Sequence, residues 1–106
     1  MEEISATELK QRLDKGDRIQ IIDVRENNEV AIGVIPNSLH IPLAQVLARM
    51  NEIDPSCDVV VHCKMGGRSA RAIDALQRSG YHGKLLNLRG GIIAWSNEVD
   101  PSVPKY

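Results

Sequence analysis

Short apolar runs alternate along this chain with segments in which apolar residues recur at helical spacing. The runs Ile19–Val24 and Val59-Val60-Val61 are continuous, which is typical of strands buried on both faces of a sheet. Strands are therefore predicted at residues 19–24, 39–41, 58–62 and 84–88. Because helices are predicted between these strands, the order favours an α/β domain built around a parallel sheet.

Helices are predicted in the intervening segments. Ser5-Ala6-Thr7-Glu8 has the capping-box pattern and precedes apolar residues at helical spacing, so the first helix is expected to run to about residue 15. Gly80 is well placed as the C-cap of a later helix. Pro101 and Pro104 indicate an irregular tail. The other helical segments are expected at residues 29–32, 43–50, 69–79 and, after Gly90-Gly91, up to about residue 97.

Composition sets limits on the class of protein. A chain of 106 residues forms one domain, and with no Phe and one Trp its core must be aliphatic. The net charge of −1 gives no reason to expect nucleic-acid binding. The apolar runs fall far short of the roughly 20 residues that cross a membrane, and the acidic start Met1-Glu2-Glu3 is unlike a signal peptide. We therefore expect neither a nucleic-acid nor a membrane partner.

The two cysteines, Cys57 and Cys63, are not expected to form a disulfide. If a strand separates them they lie about 20 Å apart, whereas a disulfide requires Cα atoms within about 7 Å. Two unpaired thiols fit a reducing compartment, so a cytoplasmic location is expected. His62 and Cys63 are adjacent and no second ligand pair has suitable spacing, so we expect no metal and no cofactor.

The segment His62-Cys63-Lys64-Met65-Gly66-Gly67-Arg68-Ser69 carries the candidate chemistry. It places Cys63 between a predicted strand and the start of a predicted helix, where unpaired backbone N–H groups favour negative charge and lower a thiol's pKa. Lys64 and Arg68 add positive charge, and the two glycines permit a tight loop. Asp23 ends a different strand, and in parallel sheets such ends form the ligand-binding edge. The pattern indicates a nucleophilic cysteine.

Three segments of the chain resemble the signatures of rhodanese-like sulfurtransferase domains. They occur in the family's order and span nearly the whole sequence. The chain departs from the usual pattern at Val30, at Val34 and at Asn37-Ser38, which are structural positions away from the cysteine. The matching segments are Asp23-Val24-Arg25-Glu26 with Glu29, Gly33-Val34-Ile35-Pro36 and His40-Ile41-Pro42; the loop from His62 to Ser69; and Asn87-Leu88-Arg89-Gly90-Gly91-Ile92 with Ala94-Trp95.

The resemblance implies five parallel strands flanked by helices and a catalytic cysteine, here Cys63, that carries sulfur as a persulfide. Thiosulfate is a dianion, so Lys64 and Arg68 are expected to bind it and to stabilise the departing sulfite. Asp23 and Arg25 match a first-signature pair that is expected to orient the loop. The residues expected to bind substrate, with backbone N–H groups around the terminal sulfur, are Lys64, Met65, Gly66, Gly67, Arg68 and Ser69.

The tail of the chain, from Trp95 to Tyr106, is similar to the end of enzymes that fuse an adenylyltransferase to a rhodanese domain. Those enzymes are the MoeB/ThiF-like activators of ubiquitin-like sulfur carriers in molybdopterin and thiamine biosynthesis. The resemblance implies one rhodanese domain over residues 1–106, either excised from such an enzyme or a stand-alone relative. Its implied partners are thiosulfate or a persulfide donor such as a cysteine desulfurase, and a sulfur-carrier protein or adenylyltransferase domain.

Two other classes of function stay open. Phosphatases and arsenate reductases of related fold use Cys-x5-Arg loops, whereas Cys63 to Arg68 is one residue shorter and encloses a smaller ring. A non-catalytic module that recruits a sulfur-carrier or desulfurase partner is the third class. Inactive relatives typically lose the cysteine, and this chain keeps it.

Several neighbouring side chains have structural interpretations. His62 is expected to be a packed histidine and not a general base, because strand neighbours face opposite sides. Arg25 and Glu29 are candidates for an ion pair. Trp95 is expected in the core or at a partner surface, and Cys57 is expected to be structural or superficial.

Overall fold

A five-stranded parallel sheet forms the centre of the computed structural model, which describes residues 1–106. Helices cover both faces of the sheet, so the α/β class that the pattern predicts and the five strands that the resemblance implies are confirmed. None of the helices is long and apolar enough to cross a bilayer. The strands are β1 (Glu3–Ile4), β2 (Ile19–Asp23), β3 (Leu39–His40), β4 (Asp58–His62) and β5 (Leu85–Leu88); the helices are α1 (Ala6–Asp14), α2 (Asn27–Val30), α3 (Gly67–Arg78) and α4 (Gly91–Glu98). The strand order in the sheet is β1-β5-β4-β2-β3.

Strand β4 lies in the middle of the sheet and divides the core into two layers. Val59 and Val61 pack in the layer beneath α3, whereas Val60 packs in the layer beneath α1 and α4, because neighbouring side chains of a strand point to opposite faces. Cys63 follows the strand and belongs to the layer beneath α3. Because Cys63 directly follows the central strand, it lies at the carboxyl edge of the sheet, close to the start of α3.

Two features of the fold differ from the sequence prediction. The strand β1 was not predicted; it has only two residues and is defined by its pairing of Glu3 with Asn87 and Ile4 with Leu88. The helix predicted over residues 43–50 is wrong: the segment forms two short 3₁₀ turns, Leu43–Gln45 and Met50–Glu52. Within residues 43–52 one side chain, that of Val46, is fully buried, so little packing favours a continuous helix. The other predicted elements are confirmed to within two residues.

Helix α4 begins against the backbone of the cysteine loop. The N–H of Ile92 donates to the carbonyl of Cys63 at 3.0 Å, and the N–H of Ile93 donates to the carbonyl of Lys64 at 3.3 Å. Gly91 allows this approach, because a Cβ there would lie 2.3 Å from the Lys64 carbonyl oxygen, and its φ of +59° also disfavours a side chain. The first turn of α4 therefore holds the backbone of the cysteine loop at Cys63 and Lys64.

Replacing Gly91 by alanine should lower the free energy of unfolding by more than about 3 kcal/mol, because the clash is with backbone that side-chain rotation cannot relieve. Gly16→Ala is the matched control. Gly16 also has a positive φ (+85°) but open space around it, so alanine there should cost only about 1 kcal/mol. Urea denaturation of both variants measures the difference. Equal losses at the two positions would show that the loop contact is unimportant.

Candidate active site

The sulfur of Cys63 is enclosed by the loop that joins β4 to α3. It accepts hydrogen bonds from the N–H of Gly66 at 3.1 Å and the N–H of Ser69 at 3.4 Å, and it lies 3.4 Å from the Ser69 hydroxyl. Gly66 has a φ of +117°, which turns the chain back over the sulfur and starts the helix. Gly67, by contrast, does not have a positive φ, and the space at its Cβ position is open. The structure therefore does not require glycine at this second position, contrary to the expectation from the sequence.

These contacts favour the thiolate. Burial raises the pKa of the Cys63 thiol, but the Ser69 hydroxyl and the N–H groups of Ser69, Gly66 and Met65 lower it more, so the net pKa lies below the ordinary value. The loop therefore supplies the anion-stabilising environment that the sequence predicts at this position.

Asn87 is a site residue that the sequence interpretation did not single out. Its Nδ2 donates to the Gly66 carbonyl at 3.1 Å, and its Oδ1 lies 2.6 Å from the Ser69 hydroxyl. That hydroxyl has one proton and three possible acceptors: Asn87 Oδ1, the Gly66 carbonyl at 3.1 Å and the sulfur of Cys63. Asn87 is the last residue of β5 that pairs with β4. Its position near the carboxyl end of a predicted strand is the feature of the sequence that could have identified it as a site residue.

A buried ion pair lies beside the loop at the end of β2. Arg25 donates to the carboxylate of Asp23 through Nε at 3.0 Å and Nη2 at 2.8 Å, and both side chains are at most 1% exposed. Burial raises the pKa of Asp23, but the hydrogen bonds of Arg25 outweigh it and keep the carboxyl ionised. The expected ion pair between Arg25 and Glu29 is wrong: Arg25 contacts only the backbone oxygen of Glu29, at 3.3 Å.

The carboxylate of Glu29 instead binds Arg68 of the cysteine loop. The two side chains are joined by two parallel hydrogen bonds of 2.6 Å and 2.9 Å, and the Tyr106 hydroxyl donates to the same carboxylate at 2.7 Å. Arg68 is the main cause, and Tyr106 a further one, of a pKa of Glu29 well below its usual range. The guanidinium that was expected to offer charge to a substrate is thus balanced by a carboxylate.

Lys64 has a different environment. Its ammonium lies 4.6 Å from the centre of the Tyr106 ring, and it forms no ion pair. Met65, next along the loop, is 66% exposed. The outer rim of the site therefore consists of an unbalanced cation and an exposed thioether.

The other residues interpreted from the sequence have structural positions. His62 is buried, its Nδ1 lies 3.3 Å from the Cys63 carbonyl, and its Nε2 has no hydrogen-bond partner. Burial lowers the pKa of His62 more than Asp23, 3.7 Å away, raises it, so the imidazole is neutral and packed. Trp95 is buried in the core layer beneath α1 and α4, and Cys57 is a half-buried free thiol.

The cysteine loop can hold a thiolate at the carboxyl edge of the parallel sheet, and known proteins share this arrangement of fold and sequence. The model of the rhodanese-like domain family matches residues 5–98. A sulfurtransferase of Allochromatium vinosum is 43% identical over 101 residues, which cover 95% of this chain and 94% of that protein. The solved thiosulfate sulfurtransferase of Pseudomonas aeruginosa aligns with a TM-score of 0.84 and 28% identity, over 92% of this chain and 19% of that one.

The chain belongs to the rhodanese-like domain family, as its three signatures predict. Its relatives include fused enzymes: the Arabidopsis thaliana protein named adenylyltransferase and sulfurtransferase MOCS3 is 34% identical over 119 residues. That match covers 97% of this chain and 25% of the longer protein. The chain is thus similar both to a sulfurtransferase of its own length and to one domain of a larger enzyme.

The pH dependence of Cys63 ionisation tests the loop. Because the pKa of Cys63 is lowered, its thiolate should form at a lower pH than that of an ordinary, unperturbed thiol. Ser69→Ala removes the hydroxyl contact and should raise the midpoint. The ultraviolet absorbance of the thiolate, measured as the difference from Cys63→Ser, follows the titration. An unchanged midpoint in Ser69→Ala would mean that the backbone N–H groups alone set the pKa.

Acid should weaken the link between Glu29 and Arg68. A carboxyl whose folded pKa lies below its unfolded value of about 4.3 stabilises the fold above that value and loses this contribution as the pH falls through the folded pKa. Glu29→Gln should therefore cost about 1–3 kcal/mol at pH 7, and less at increasingly acid pH.

The matched control for this measurement is Glu52→Gln. Glu52 pairs with Arg49 on the surface, and the two side chains are 38% and 31% exposed. Exposed pairs contribute about 0–1 kcal/mol, so this variant should change stability little at any pH. Denaturation midpoints of both variants between neutral and acid pH provide the comparison; a constant cost for Glu29→Gln across that range would contradict the assignment.

Proposed function

We propose that this chain is a sulfurtransferase that carries sulfane sulfur as a persulfide on Cys63. The observation that carries the proposal is the set of hydrogen bonds to the Cys63 sulfur, from the N–H groups of Gly66 and Ser69. They stabilise a thiolate before transfer, and a loop of this kind favours the negative terminal sulfur of a persulfide afterwards.

The proposed reaction has two displacements. The Cys63 thiolate attacks the outer sulfur of thiosulfate, a new S–S bond forms, the original S–S bond breaks, and sulfite leaves with the bonding pair. A nucleophilic acceptor then attacks the terminal sulfur of the persulfide, and Cys63 leaves as the thiolate. Thiolate and sulfite are good leaving groups, so neither step requires a proton from His62, which is neutral and buried.

Thiosulfate is the proposed small-molecule donor. Lys64 at the rim supplies positive charge for a dianion, and Arg68 is proposed to contribute while it holds the loop to Glu29. The solved relative named thiosulfate sulfurtransferase supports this choice. A persulfide delivered by a cysteine desulfurase is the proposed alternative donor, in a reducing compartment such as the cytoplasm, which the two free thiols support.

A ubiquitin-like sulfur carrier activated by an adenylyltransferase is the proposed acceptor. The similarity to a domain of MOCS3, named for both activities, supports it. The exposed Met65 on the loop leaves an apolar contact for such a protein beside Cys63. With this acceptor, the proposed role of the chain is in molybdopterin biosynthesis, as the resemblance to the fused enzymes implies.

Incubation with thiosulfate should increase the intact mass by one sulfur atom, about 32 Da, located on Cys63. Cys63→Ser should show no gain and no thiocyanate formation from thiosulfate and cyanide, whereas Cys57→Ser, the matched control, should behave as the wild type.

The alternative classes predict different results from the same samples. Hydrolysis of a generic phosphate ester by the wild type would favour a phosphatase, and retention of a sulfur-carrier partner by Cys63→Ala with no sulfur transfer by the wild type would favour a binding module. Unchanged thiocyanate formation by Cys63→Ser would rule out the proposed intermediate.

A further inference from the structure

We infer that Tyr106 is a positioning residue that holds the ammonium of Lys64 at the mouth of the site without cancelling its charge. This inference rests on the proposed function, in which Lys64 attracts an anionic sulfur donor. The ring of Tyr106 lies 4.6 Å from Lys64 Nζ, although the two residues are distant in sequence.

The charges around the loop identify Lys64 as the cation that matters for attraction. Arg25 is paired with Asp23, and Arg68 is paired with Glu29, each through two or more hydrogen bonds. A paired charge acts on a distant anion as a dipole and attracts it weakly. Lys64 has no carboxylate partner, so of these three cations it is the one whose charge no carboxylate offsets.

An aromatic ring suits the position of Lys64 for a physical reason. A lysine side chain has four rotatable bonds and loses conformational entropy when it is held in one place. A carboxylate could hold it, but would neutralise it. The face of a tyrosine ring attracts a cation through its quadrupole and carries no net charge, so the ammonium is held and its field remains available to an incoming anion.

The ring of Tyr106 is itself fixed by the site. Its hydroxyl donates to Glu29 at 2.7 Å and accepts from Arg25 Nη1 at 3.1 Å. The preceding tail is anchored where the Ser96 hydroxyl donates to the carbonyl of the buried Val103 at 2.6 Å. The two buried or half-buried ion pairs therefore determine where the ring lies, and the ring determines where Lys64 lies.

The test compares how Cys63 reacts with an anionic and a neutral reagent. The ratio of its alkylation rates with iodoacetate and iodoacetamide, in a Cys57→Ser background, reports the positive charge at the mouth. Tyr106→Leu should lower this ratio about twofold to fivefold, and should raise KM for thiosulfate by a similar factor with kcat nearly unchanged. Tyr106→Phe keeps the ring face but loses the hydroxyl contacts that fix the ring, so its ratio should lie between those of the wild type and Tyr106→Leu.

A double variant separates an effect through Lys64 from a general structural effect. In a Lys64→Met background, Tyr106→Leu should cause no further change in the ratio. An equal decrease with and without Lys64, or an unchanged ratio in Tyr106→Leu, would overturn the inference. If Tyr106→Leu does not fold, a graded series of fluorinated phenylalanines at position 106 replaces it, because fluorination keeps the ring shape and weakens the quadrupole. An alkylation ratio that does not fall along this series would also overturn the inference.

The alkylation ratio does not depend on sulfur transfer. If the wild type gains no sulfur from thiosulfate, the proposed function fails, while the ratio still tests Tyr106. If the wild type gains sulfur and the ratio is insensitive to Tyr106, the inference alone fails.

Discussion

The buried pair of Arg25 and Asp23 is the constraint on which the site depends. A guanidinium with no exposed side-chain surface is tolerated only when its charge and its donors are satisfied. Arg25 meets this requirement with the Asp23 carboxylate, the Gly33 carbonyl at 2.7 Å and the Tyr106 hydroxyl. These partners belong to a strand end, a surface loop and the tail. One charged group thereby joins three separate segments beside the cysteine.

A chain of pairings extends outward from this buried pair to the cysteine loop. The Tyr106 hydroxyl binds both Arg25 and Glu29, and the Glu29 carboxylate in turn pairs with Arg68 at the start of α3. Exposure increases along this series: Arg25 is fully buried, Glu29 is 12% exposed and Arg68 is 30% exposed. The interior end is costly to disturb and the outer end faces solvent, so the loop is attached to a rigid base while its rim stays accessible.

Local patterns predicted most of the elements and the position of Cys63. A strand buried on both faces, a Gly-Gly turn and a capping box each have a cause within a few residues, so the sequence alone is informative about them. The strand β1 could not be found in this way, because two residues become a strand only through their pairing with β5. The segment 43–50 has helical spacing but too little buried surface to hold a helix.

The partners of charged side chains were the least predictable part of the site. Glu29 is close to Arg25 in sequence but binds Arg68, and Asn87 and Tyr106 reach the loop from other elements. Such contacts depend on how the strand ends meet at one edge of the sheet, and sequence spacing does not contain that information. The residue types were visible; their pairing required the fold.

The contact between α4 and the cysteine loop has a stereochemical consequence. All peptide bonds of the chain are trans, so each carbonyl points opposite to the N–H of the following residue. When α4 binds the carbonyls of Cys63 and Lys64, it also turns the N–H groups of Lys64 and Met65 away from itself. A helix that packs on the opposite face of the sheet from α3 thus orients the first two peptide planes of the loop, and with them the dipoles that surround the sulfur.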